Sequence, residues 1–177
     1  MKLGISAGIT TGIIVGLIIA ALLMKVANTN HHLKTDYDER QQLIRGKGYM
    51  YAFYALIAFE VIKMVLSAGE VELPIENYAL DCMAIILGVM VLGTYCIWND
   101  VYWGLNNNKK NYLILFAVCI IFNIIPIAGQ AASGTLFENG KIGLPILNIM
   151  VLILVIILGI ELIIKRLIGD RSSGQED

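Results

Sequence analysis

The chain has 177 residues, 58% of them hydrophobic and only 15% charged, with a formal net charge of −1 and a mean hydropathy of +0.74. A water-soluble domain carries roughly 25% charged residues, so this composition excludes a soluble globular surface, and the length leaves room for one helical bundle without a separate soluble domain. The balanced charge, with no basic face interleaved with aromatics, points away from any nucleic-acid partner.

Five apolar stretches make up most of the chain, at about residues 4–24, 49–68, 78–98, 112–128 and 145–164. A hydrocarbon core of ~30 Å needs about 20 helical residues. Four stretches meet that comfortably, and the fourth is shorter, ending near Pro126. The expected fold is therefore all-α, an integral membrane helical bundle with five transmembrane helices whose first partner is the lipid bilayer.

The first stretch starts after Lys2, and a basic start before an apolar run also describes a secretory signal peptide. The run is longer than the roughly 7–15 residues of a signal core, and Lys25 stands where cleavage after Ala27 would need a small residue. Retention as a helix is expected; cleavage would leave four spans. Gly4, Gly8, Gly12 and Gly16 recur every four residues along it. At 3.6 residues per turn they form a slowly winding stripe that lets another backbone approach closely in lipid. The stripe packs either against the protein's own later helices or against a protein partner or a second copy.

Residues 27–48 form the only substantial polar segment. Thr35-Asp36-Tyr37-Asp38-Glu39 has the cap and first-turn acids of a helix start. Arg40 to Arg45 continue it as a short amphipathic helix at the membrane surface, and Gly46 and Gly48 are expected to loosen the chain before the second span. His31, His32, Asp36, Asp38 and Glu39 match no metal-ligand spacing, so no metal site is read here. Cys82, Cys96 and Cys119 fall inside apolar segments without a CxxC and are read as packing residues.

Within the second span Glu60 and Lys63 share one helical face at i, i+3 spacing. Burying a charge in lipid costs ~2.5–3.5 kcal/mol even on insertion scales, so the two are read as a compensating pair or, alternatively, as a relay. Asp81 lies within a turn of the third span's start, and Glu161 near the end of the last span has Lys165 one turn on. Tyr49, Tyr51 and Tyr54 open the second span, while Tyr95, Trp98, Tyr102 and Trp103 close the third and Tyr112 begins the fourth. These are the positions of an interfacial belt.

The charges orient the chain. Segment 25–48 holds Lys25, Lys34, Arg40, Arg45 and Lys47; loop 99–111 holds Lys109 and Lys110; the tail holds Lys165, Arg166 and Arg171. The alternate side has only Lys2 and Lys141, and loop 69–77 carries Glu70, Glu72 and Glu76. By the positive-inside rule the cation-rich side is cytoplasmic. The N-terminus then faces outside and the C-terminus inside, which requires an odd number of spans.

The run Asp38-Glu39-Arg40-Gln41, followed by Arg45-Gly46-Lys47-Gly48-Tyr49, resembles the opening of a group of small, uncharacterised multi-span membrane proteins of Gram-positive bacteria. A second signature of that group is similar to Asn99-Asp100-Val101-Tyr102-Trp103-Gly104-Leu105-Asn106, where Val101 replaces the small residue expected. The match spans roughly residues 36–128. The resemblance implies a bacterial plasma membrane and no particular activity. Since both signatures fall on the cytoplasmic face, Arg40, Arg45 and Lys47 are candidates to pair with Asp100.

No H-E-x-x-H, Ser–His set, paired Asp motif or phosphate-cradling glycine loop is present. No catalytic residue or cofactor is read from the chain. The expectation is a non-enzymatic membrane protein acting through helix–helix or cytoplasmic-face contacts with a partner. The alternative is a small oligomeric transporter or channel using Glu60 and Lys63.

Overall fold

A computed structural model describes the backbone of residues 2–134, 137–138, 141–142 and 145–173, and the side-chain surroundings of residues 14, 16–134 and 146–168. Five helices follow in chain order: α1 Lys2–Ala27, α2 Glu39–Ala68, α3 Asn77–Trp98, α4 Lys109–Ser133 and α5 Pro145–Ser173. Between α4 and α5 lie two-residue strands, β1 Phe137–Glu138 and β2 Lys141–Ile142, paired antiparallel with Phe137 opposite Ile142. Apart from that ribbon, the regular structure of the described residues is helical. Four described stretches are long and apolar enough to cross a membrane: Glu39–Ala68, Asn77–Trp98, Lys109–Ser133 and Ile146–Ile168.

Several helices run further than their apolar stretches. The amphipathic segment and the second span form one unbroken helix, so Gly46 and Gly48 do not loosen the chain. Gly48 has a different use. A Cβ placed there would lie 3.0 Å from Leu92 Cδ1 and 3.1 Å from Tyr95 Cδ1, so the missing side chain lets α2 approach α3 closely. Likewise α4 continues through Pro126 to Ser133. A proline removes one intrahelical N–H, here the one facing the Phe122 carbonyl, and continuation is tolerated because neighbouring turns still pair.

The chain divides into two units, residues 1–38 with 103–115, and residues 39–102 with 116–177. In the second unit α3 packs against both α2 and α5. Tyr51 near the start of α2 meets Tyr95 near the end of α3, and Lys63 pairs with Asp81 at the opposite ends, so these helices are antiparallel. Thr94 contacts Glu161 and Trp98 contacts Lys165, so α3 and α5 run parallel. Gly93 again marks a close approach, since a Cβ there would lie 2.9 Å from Leu158 Cδ2. Ala79, Ala84, Cys96, Ile97, Val155 and Leu158 are buried.

Both α2 and α3 end in the same hydrogen-bonded motif. Val71 N–H donates to Leu66 and Glu70 N–H to Ser67, while Val101 N–H donates to Cys96 and Asp100 N–H to Ile97. This is the Schellman pattern, which needs a left-handed residue after the helix. Glu70 (φ 55°) and Asp100 (φ 59°) take that position, which glycine usually fills.

The first unit is held differently. Ala27, at the end of α1, and Asn28 are buried, and segment 28–36 is laced to loop 104–111. Thr29 N–H donates to the Asn106 carbonyl at 2.8 Å, Leu105 N–H to Asp36 at 2.8 Å, and Asn108 N–H to Ala27 at 3.1 Å.

Candidate functional site

Three polar constellations stand out, one in the first unit and two in the second. In the first, asparagine amides satisfy a loop pair that has no regular structure. Asn106 Oδ1 accepts from Asp36 N–H at 2.9 Å, and its Nδ2 donates to the Lys34 carbonyl at 3.0 Å and to Asn30 Oδ1 at 3.1 Å. Asn107 Oδ1 accepts from Gly104 N–H at 2.7 Å, and its Nδ2 donates to Asn28 Oδ1 at 2.8 Å. A side-chain amide offers donors and acceptors together, which is what two facing irregular backbones require. Gly104 is essential to the approach: a Cβ there would lie 2.1 Å from Thr35 Cγ2 and 2.8 Å from the Asp36 carbonyl oxygen. The Asn99–Asn106 signature thus includes residues of this lattice. In the sequence, residues 27–48 read as a polar segment, and the lattice is not apparent from it. The available signal was the crowding of asparagines into two short segments.

In the second unit, Lys63 bridges Glu60 and Asp81. The expected i, i+3 pair is present, and Asp81 joins it from α3, so one cation serves two carboxylates. All three remain partly or well exposed, at the ends of α2 and α3 adjoining the acidic loop 69–76.

The opposite end of these helices carries the third constellation. Asp100 does form an ion pair, but with Lys165 at 3.0 Å. Arg45 reaches the same turn at the next residue, donating to the Val101 carbonyl at 3.4 Å, and also to Tyr49 Oη at 3.4 Å. Arg40 and Lys47 are exposed, and neither forms an ion pair among the described residues. The described ion pair on Asp100 thus comes from α5, while at the same turn Arg45 of α2 meets the adjoining Val101 carbonyl.

This rearrangement strands Glu161. Lys165, its expected partner one turn on, donates instead to Asp100 and to the Trp98 carbonyl at 3.1 Å. Glu161 Oε1 accepts from Thr94 Oγ1 at 3.1 Å, while Oε2 is buried with no hydrogen-bond partner. Glu161 lines an open groove of about 470 Å³ together with Tyr51, Thr94, Tyr95 and Trp98. Met90, Val91, Asn99 and Ile157 complete the wall.

Comparison with protein-family models, with curated proteins and with solved structures finds no match. Function must then be read from the groups themselves. Among the described residues, no three of His, Cys, Asp and Glu gather as a metal site. His31 and His32 are exposed. The environments of Gly4, Gly8 and Gly12 lie outside the described residues; Gly16 is exposed, and a Cβ on it would meet no atom within 4 Å.

Proposed function

We propose that the chain is a five-span protein of a bacterial plasma membrane, with its N-terminus outside and its C-terminus inside, belonging to the Gram-positive group its signatures resemble. It has no catalysis of its own and acts through helix–helix or cytoplasmic-face contacts with a protein partner or a second copy. The observation that carries this reading is α4: 25 apolar-rich residues without a single buried one. Leu113, Ile121, Phe122 and Ile125 are each more than half exposed, on different faces of the helix. Such a surface is at home against lipid or another helix and nowhere in water.

The parallel course of α3 and α5 supports the topology, since an odd number of spans must lie between two parallel ones. So does the gathering of Arg45 and Lys165 at one end of the second unit, consistent with cationic flanks on the cytoplasmic side. Photo-crosslinkers at Phe122 and Ile125 in native membranes test the contact. One defined protein adduct is expected, reduced by Gly8→Leu and Gly12→Leu if α1 shares the interface; lipid adducts alone would refute the partner. Reporter fusions must place residues 25–48 and the tail on the same, cytoplasmic face.

A second reading, a small oligomeric transporter or channel centred on Glu60 and Lys63, draws on the additional carboxylate Asp81 beside Lys63. Proton or solute flux in liposomes that disappears with Glu60→Gln would favour it over the contact reading.

A further inference from the structure

We propose that the groove formed by α2, α3 and α5 binds an organic ammonium group carried on an apolar body, with Glu161 as its counter-ion. A carboxylate inside a membrane-spanning helix is costly unless its charge is balanced. The chain supplies a cation at the ideal spacing, Lys165, yet that ammonium is committed to Asp100 and the Trp98 carbonyl. Glu161 keeps one hydroxyl donor, Thr94, and has a buried oxygen with none. Among the described residues no cation pairs with Glu161, and the charge left over calls for one supplied by a ligand.

The walls say which kind. A hard divalent ion is held mainly by several carboxylates and carbonyls, and Glu161 is the single carboxylate among the residues that line this groove. Aromatic faces beside an anion instead suit alkylated or primary ammonium groups. Lys165 already lies 6.0 Å from the Trp98 ring centroid, leaving Tyr51 and Tyr95, tilted 57° with centroids 5.1 Å apart, as the aromatic walls for a ligand. The volume of about 470 Å³ falls within the usual range for small-ligand pockets, and its aliphatic remainder accommodates a ring or chain attached to the cation. The ammonium can be that of a lipid headgroup or of a free amphiphilic amine. The site does not depend on the protein-contact reading above.

The test is equilibrium binding of radiolabelled benzyltrimethylammonium to the full chain in phosphatidylglycerol nanodiscs, with neopentylbenzene as the uncharged isostere. Saturable binding of the cation is expected, with the isostere competing at least about tenfold more weakly, as loss of an ion-pair and a cation–π contact requires. Glu161→Gln removes the ion pair and should weaken binding by about tenfold or more, whereas Glu72→Gln in the 69–76 loop should leave it unchanged. Equal competition by cation and isostere on the unmodified protein would overturn the proposal, whatever the variants do. So would unaltered affinity in a folded Glu161→Gln. Adding phosphatidylethanolamine to the discs separates the sources: competition assigns the site to a lipid headgroup, and its absence to a free amine.

Discussion

The two units solve the same problem, holding chain segments together, with opposite chemistry. Residues 28–36 and 104–111 are joined by amides: Asn28, Asn30, Asn106 and Asn107 hydrogen-bond to one another and to facing backbone. Helices α2, α3 and α5 are joined by shape, with Gly48 under Leu92 and Tyr95 and Gly93 under Leu158. The difference follows from where backbone polar groups find partners. A helix satisfies its own, so apolar rods need only fit. An irregular loop cannot, so each buried N–H and C=O must be met by a neighbour.

If that contrast is right, the largest single defect should come where lattice and close approach coincide. Gly104→Ala places a methyl group against both Thr35 and the Asp36 carbonyl and should cost about 3 kcal/mol or more, read as loss of the folded fraction in a detergent unfolding titration. Wild-type stability would mean the two segments are not clasped. Asn106→Ala removes three side-chain hydrogen bonds and orphans Asp36 N–H, an expected loss of about 2–3 kcal/mol. Hydrogen exchange at Asp36 should accelerate, while the α2–α3 contact stays protected.

In the helical unit, Gly48→Leu should cost about 1–3 kcal/mol by forcing α2 from α3. A disulfide-scanning shift between residues 51 and 95 would register the separation, and an unmoved contact would argue against packing as the cause. The two helix ends provide a finer comparison. Glu70 and Asp100 hold the same left-handed position, but only Asp100 has an ion partner. Glu70→Gly should therefore stabilise by about 0.5–1 kcal/mol, visible as a raised Tm, and Asp100→Gly should gain less. The smallest effect is the Asp100–Lys165 coupling itself, about 0.5 kcal/mol after screening because Asp100 is well exposed. A double-mutant cycle should find it for Lys165 and not for Arg45; the reverse result would restore the α2 clamp.

Much of the helical architecture was legible in residue order because apolar length is a local property. The stretches near 49–68, 78–98, 112–128 and 145–164 all became helices, and Glu60 with Lys63 paired as one turn of spacing demands. Their ends were less legible. Gly46, Gly48 and Pro126 look like breakers one residue at a time, yet a helix packed along its length or lying in a low-dielectric medium retains its hydrogen bonds through them. The site was legible only in part. Glu161 and Lys165 satisfy the i, i+4 rule, but a third group from α3, Asp100, outcompetes the local partner, and no linear pattern reveals a competitor 65 positions away.

Residue order alone determined that long apolar helices dominate the chain and where its cations accumulate, since both depend on nearest neighbours and side-chain solvation. Tertiary structure alone decided that Lys165 turns to Asp100, that Glu161 keeps an unsatisfied oxygen beside Tyr51 and Tyr95, and that Asn106 and Asn107 clasp residues 28–36. Those choices depend on which distant groups arrive within about 3 Å, where hydrogen bonds and ion pairs act.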